Sequence, residues 1–130
     1  MILCNPPYLL TADWEQLDAS VKNWEDRDAL CGDDPQDHAV TDGCAFYRRI
    51  SELVNDVKAP VPLYRQRAVH PFRQGLPAII FEVGKDQHDQ VKNILSSGAL
   101  FGSAEIRIWE DAFGVKRAVA GYLSPSSHQQ

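Results

Sequence analysis

The chain has 130 residues, enough for one domain with its own hydrophobic core. Its 13 basic and 18 acidic residues leave a net charge of −5, and ten of the acids fall within residues 13–42, a segment ill suited to nucleic acid that serves either as a solvated acidic loop or as a landing site for a basic protein. No apolar run approaches transmembrane length, and neither the three cysteines (Cys4, Cys31, Cys44) nor the four histidines (His38, His70, His88, His128) show metal-ligand spacing.

In chain order, Ile2, Leu3 and Cys4 run into Asn5-Pro6-Pro7-Tyr8. A short apolar run stopped by two prolines predicts a buried strand over 1–4 that ends in a fixed loop. Each proline locks its own φ and pushes the preceding residue toward extended geometry, so Asn5 is held extended at the strand's C-terminal end. In open α/β sheets that edge is where ligands bind. The Asn5 carboxamide offers one acceptor and two donor hydrogens, a match for a planar amino-bearing group, and Tyr8 adds an aromatic face. Taken alone, the four residues read equally well as a turn.

Residues 9–42 hold many acids and few apolar positions at helical spacing, which predicts a long loop anchored by Trp14, Trp24 and Leu30. Asp42 is suited to cap a helix over 43–57, whose apolar face reads as Phe46, Ile50, Leu53, Val54 and Val57, with Arg48 and Arg49 on the solvated side. Residues 58–76 contain Pro60, Pro62, Pro71 and Gly75, and no acid occurs between Asp56 and Glu82. That stretch reads as a basic loop.

Ala78 to Phe81 form a continuous apolar run, predicting a parallel strand over 77–83. Asp86 is placed to cap a helix over 87–97, with Val91, Ile94 and Leu95 inward and Gly98 ending it. Ala104, Ile106 and Ile108 alternate with charges, predicting a half-buried strand over 104–109. A further strand is expected over 116–122, reached through Asp111 and Gly114, with a disordered tail at 124–130.

Asn-Pro-Pro-Tyr at the end of an apolar strand resembles the motif of methyltransferases that modify a planar amide or exocyclic amino nitrogen. Val21-Lys22-Asn23-Trp24-Glu25, Asp28-Ala29-Leu30, Asp42-Gly43, Phe46-Tyr47-Arg48-Arg49-Ile50, Phe81-Glu82-Val83-Gly84 with Gln87, and Asp111-Ala112-Phe113-Gly114 with Arg117 follow in order. Together they resemble the peptide-chain release factor glutamine methyltransferases, the HemK/PrmC family. Where that family usually carries Glu-Pro, this chain has Glu25-Asp26.

The resemblance implies an α/β fold, the C-terminal half of a Rossmann-like seven-stranded sheet ending in an antiparallel pair. Residues 1–123 would be a partial methyltransferase domain and 59–76 an inserted basic loop. No GxGxxG occurs among the eight scattered glycines, so most of the S-adenosylmethionine site is expected in an N-terminal half upstream of this chain. The resemblance assigns catalysis to the Asn5 side-chain oxygen and the Pro6 carbonyl. It assigns substrate binding to Asn5, Pro6, Pro7 and Tyr8, cofactor contact to Asn5, and no metal. It implies a release factor as partner, while the net negative charge argues against nucleic acid, no run is long enough to span a membrane, and the odd, unspaced cysteines fit a reducing compartment, mitochondrial before cytoplasmic. Two other readings stand beside it: a non-catalytic remnant that at most binds a protein, and a relative acting on DNA adenine, which the net negative charge opposes.

Overall fold

The structure is a computed structural model and describes residues 1–36, 39–56, 76–102 and 105–122. Four strands form one sheet: β1 (Ile2–Cys4), β2 (Ile79–Glu82), β3 (Glu105–Glu110) and β4 (Lys116–Tyr122), in the order β1-β2-β4-β3. β1 and β2 are parallel, with Ile2 opposite Ile79 and Cys4 opposite Phe81. β4 runs antiparallel to both of its neighbours. The four strands thus lie where the apolar patterns predicted them, and β3 and β4 form the antiparallel pair that the resemblance implied.

Among the described residues there are five helices: α1 (Thr11–Glu15), α2 (Ala19–Lys22), α3 (Arg27–Leu30), α4 (Ala45–Asp56) and α5 (His88–Ser97). The sequence pattern predicted a loop where α1 to α3 stand. These helices are four or five residues long, too short to show a 3.6-residue period, and side-chain caps start two of them: Asp18 accepts from Ser20 N–H and Asp26 from Asp28 N–H. Of the expected anchors, Trp14 and Leu30 are half-buried, whereas Trp24 is 85% exposed.

The core lies on one face of the sheet, where α4 and α5 cover it. Ile79 and Phe81 of β2, Val83 just after it, Val119 of β4, Val91 and Leu95 of α5, and Phe101 are buried there. Val91 and Leu95 are four residues apart and share one helix face. Each such side chain contributes about 1.5–3 kcal/mol through its removal from water. Tyr47 of α4 meets Phe81 edge-to-face, with ring centroids 5.3 Å apart. Asn55 ties α4 to the turn after α5: its Nδ2 donates to Ser51 O at 2.6 Å within α4, and its Oδ1 accepts from Leu100 N–H at 2.7 Å.

The inward face of α4 differs from the apolar pattern. Cys44, Tyr47 and Ser51 are buried, Ile50 and Val54 pack beside them, and Phe46 and Leu53 are exposed. The helix turns Tyr47 inward because its hydroxyl finds a partner there, donating to the Glu82 carbonyl at 2.8 Å. Arg48 is not simply solvated but pairs with Asp42. At α5, Asp86 has φ of 65° and Gln87 precedes the first helical residue, so Asp86 is not the cap. Ile2 and Leu3 are also more exposed than a buried strand requires, because β1 is the edge of the described sheet and no described helix covers the face bearing Leu3 and Ile80. The predicted basic loop at 59–76 lies outside the described residues except for exposed Leu76, as does the tail at 124–130.

Candidate functional site

The C-terminal ends of β1 and β2 point the same way, and four loop segments meet there. β1 hands the chain to Asn5-Pro6-Pro7-Tyr8: Asn5 is exposed, Pro6 buried, Pro7 and Tyr8 half-buried. The N–H groups of Tyr8 and Leu9 both donate to the Leu30 carbonyl, at 3.1 and 2.9 Å. Gly32 N–H returns a bond to Leu9 O at 2.9 Å, so the chain after the prolines lies as a one-residue parallel bridge beside Cys31.

Asp33 ties this layer together. It is only 8% exposed; one carboxylate oxygen accepts from Thr11 N–H at 2.7 Å and the other from Gly43 N–H at 2.8 Å. Gly43 has φ of +66°, and a Cβ on it would stand 2.2 Å from Tyr8 O. Asp42, just before it, accepts from Cys44 N–H and forms a two-point ion pair with Arg48, while Gln90 donates to the same carboxylate. The hydrogen bond from Arg48 holds the Asp42 carboxyl below the usual carboxylate range. Burial pushes the Cys44 thiol up to about 12 and raises those of Cys4 and Cys31.

The Gln87 carboxamide bonds three of these segments at once. Its Nε2 donates to Tyr8 O at 3.0 Å and to Asp42 O at 3.1 Å, and its Oε1 accepts from Gly84 N–H at 3.1 Å. The Asn5 side chain, by contrast, makes no hydrogen bond among the described residues. It opens on a depression lined by Leu3, Cys4, Ile80, Glu82, Arg117 and Ala118, on the face of the sheet that α4 and α5 leave uncovered. The site thus offers an unengaged planar amide at the rim of an apolar floor, with one acid and one base nearby.

No protein-family profile matches the chain, and no solved structure matches it. The release factor glutamine methyltransferases of Bacillus cereus and Bacillus anthracis are each 29% identical to it over 119 residues, covering 92% of this chain and 34% of theirs. That of Clostridium acetobutylicum is 31% identical over 107 residues, covering 82% of this chain and 30% of its own length. The chain resembles the release factor glutamine methyltransferases. It spans about a third of the length of the curated relatives it matches. Its mixed sheet and flanking helices are consistent with part of a methyltransferase domain.

Of the motifs that carried the methyltransferase resemblance, the structure gathers Asn-Pro-Pro-Tyr, Asp42-Gly43, Gly84 and Gln87 at one end of the sheet. Arg117 reaches the same depression from β4 and lies 3.4 Å from Asp111. The stretch around exposed Trp24 takes no part in this cluster. Two contributors were not read from the sequence. Asp33 looked like one acid in an acidic run, and Arg48 like a solvated charge. No local signal marked Asp33, whose carboxylate bonds Thr11 and Gly43, 22 and 10 residues away.

Proposed function

We propose that this chain is the acceptor-positioning part of an S-adenosylmethionine-dependent methyltransferase acting on the glutamine side-chain nitrogen in the Gly-Gly-Gln motif of peptide-chain release factors, in translation termination. The observation that carries this reading is the unengaged Asn5 carboxamide at the C-terminal end of a parallel strand, backed by two prolines and a hydrogen-bonded loop. The names of the relatives support a methyltransferase and a release factor as substrate.

A glutamine amide is a poor nucleophile because its lone pair is delocalised. The side-chain oxygen of Asn5 and the Pro6 carbonyl would accept its two N–H hydrogens, favour charge build-up on nitrogen and aim it. Pro6 restrains Asn5 and Pro7 restrains Pro6, which together fix the direction of both acceptors, and the half-exposed Tyr8 packs beside the substrate. When bound, S-adenosylmethionine supplies a methyl group already activated on sulfonium. The described residues offer that cofactor the Asn5 carboxamide and the apolar floor of the depression, and we assign the rest of its site to residues that this chain does not contain.

A non-catalytic, protein-binding role is the second reading, favoured by the fraction of its relatives that the chain spans. Co-expression with the unmatched part of the Bacillus cereus relative separates the two. The enzyme reading expects S-adenosylmethionine-dependent addition of one methyl to the release-factor glutamine, seen by mass spectrometry. A folded complex that transfers none overturns it. By calorimetry the chain alone is expected to bind S-adenosylmethionine weakly or not at all, and micromolar affinity would place the cofactor site elsewhere.

A further inference from the structure

We infer that Gln87 is the positioning residue that holds the Asn5-Pro6-Pro7-Tyr8 loop at its working height, an inference that rests on the function proposed above. A glutamine side chain has two donor hydrogens and one acceptor oxygen, and here each finds a backbone partner: Tyr8 O, Asp42 O and Gly84 N–H. Two of those partners lie 79 and 45 residues away in sequence, so the bonds connect segments that no local structure joins.

The base of this clamp is firm. Gln87 is the residue before the first turn of α5, its own carbonyl accepts from Val91 N–H at 2.9 Å, and Val91 is fully buried. The Tyr8 peptide is held from two sides, its N–H by the Leu30 carbonyl and its C=O by Gln87. Between Tyr8 and Asn5 stand two prolines whose φ angles cannot relax. A shift of the Tyr8 carbonyl therefore passes to the Pro6 carbonyl and the Asn5 side chain with little loss. Gln87 touches neither the Asn5 carboxamide nor the depression it faces, so it acts through the loop and not on the reacting atoms.

The full chain tests this by amide exchange in NMR. In the unaltered protein the Gln87 carboxamide hydrogens should exchange with solvent at least roughly tenfold more slowly than those of exposed Gln16, since only the former are internally bonded. Gln87→Glu keeps an acceptor for Gly84 N–H but has no donor for the Tyr8 and Asp42 carbonyls. It should speed exchange at Tyr8 and Leu9 by about tenfold or more while Gly84, Val91 and Leu95 stay protected. Gln87→Ala should release Gly84 as well.

With the co-expressed complex, Gln87→Glu should lower kcat by roughly tenfold or more with the apparent affinity for S-adenosylmethionine nearly unchanged, the split expected of misplaced acceptors. Gln87 hydrogens that exchange as fast as those of Gln16, or a folded Gln87→Glu protein with unaltered Tyr8 and Leu9 exchange, overturns the inference. The first measurement needs no variant, so a misfolded substitution does not decide the matter. Absence of methyl transfer by the unaltered complex would sink the functional reading alone, with the exchange data still deciding the clamp.

Discussion

Two glycines among the described residues have positive φ in different surroundings, and comparing them isolates the crowding beneath the Asn-Pro-Pro-Tyr loop. Gly114, in the β3–β4 turn, has φ of +75° with nothing within 4 Å of an added Cβ. Gly43 has φ of +66°, but an added Cβ would lie 2.2 Å from Tyr8 O and 2.6 Å from Gln87 Nε2. Alanine in the left-handed region costs about 1–2 kcal/mol. The stiffer unfolded chain offsets about 0.4–1 kcal/mol of that. Gly114→Ala should therefore destabilise by at most about 1.6 kcal/mol. In Gly43→Ala the Tyr8 carbonyl must move by more than 1 Å to restore ordinary contact. That movement breaks the Gln87–Tyr8 bond and strains the bond from Gly43 N–H to the buried Asp33 carboxylate. Losing a neutral hydrogen bond and a charge-assisted one adds about 2–4 kcal/mol. Urea unfolding of both variants should show Gly43→Ala less stable than Gly114→Ala by about 2 kcal/mol or more. Equal losses would refute the packing described here, because the backbone penalty is common to both.

Tyr47→Phe keeps the buried ring but removes the hydroxyl bonded to Glu82 O, and should cost about 1–3 kcal/mol in urea unfolding; a loss within experimental error would contradict that bond's role. With burial holding its thiol at about 12, Cys44 should resist iodoacetamide at mildly alkaline pH in the folded protein, while half-buried Cys4 reacts first; equal labelling by mass spectrometry would show that α4 does not seal the core. Asp42 has its folded pKa lowered, so its contribution to stability is present above the ordinary carboxylate value and is lost as pH falls through the lowered one. Acidification should thus reduce the urea midpoint more in the native chain than in Asp42→Asn, and parallel pH profiles would count against the Asp42–Arg48 pair.

The fold was legible wherever the signal was local. Ile106 and Ile108 alternating with Glu105 and Arg107 marked β3, and Val91, Ile94 and Leu95 marked α5, because burial on one face repeats at the period of the element. The buried face of α4 was misread by about one position. A hydrophobic ranking favours Phe46 and Leu53, but the structure buries Tyr47, whose hydroxyl has a partner, and the small Ser51. The place of Asn5 at the end of β1 was legible because two prolines follow it directly. Gln87 was legible only as a member of a motif and Asp33 not at all, since their importance lies in bonds to backbone groups up to 79 residues distant, which no spacing encodes.

The central claim is that Asn5 positions the acceptor amide, and Asn5→Ala tests it most directly. Asn5 is exposed and bonded to nothing among the described residues, so its truncation should leave the melting temperature nearly unchanged. In complex with the unmatched part of the Bacillus cereus relative, the same variant should transfer methyl to a release factor about 10²–10³ slower, the usual cost of one preorganised contact to the transition state. Retention of the unaltered rate in a folded Asn5→Ala protein would contradict the account.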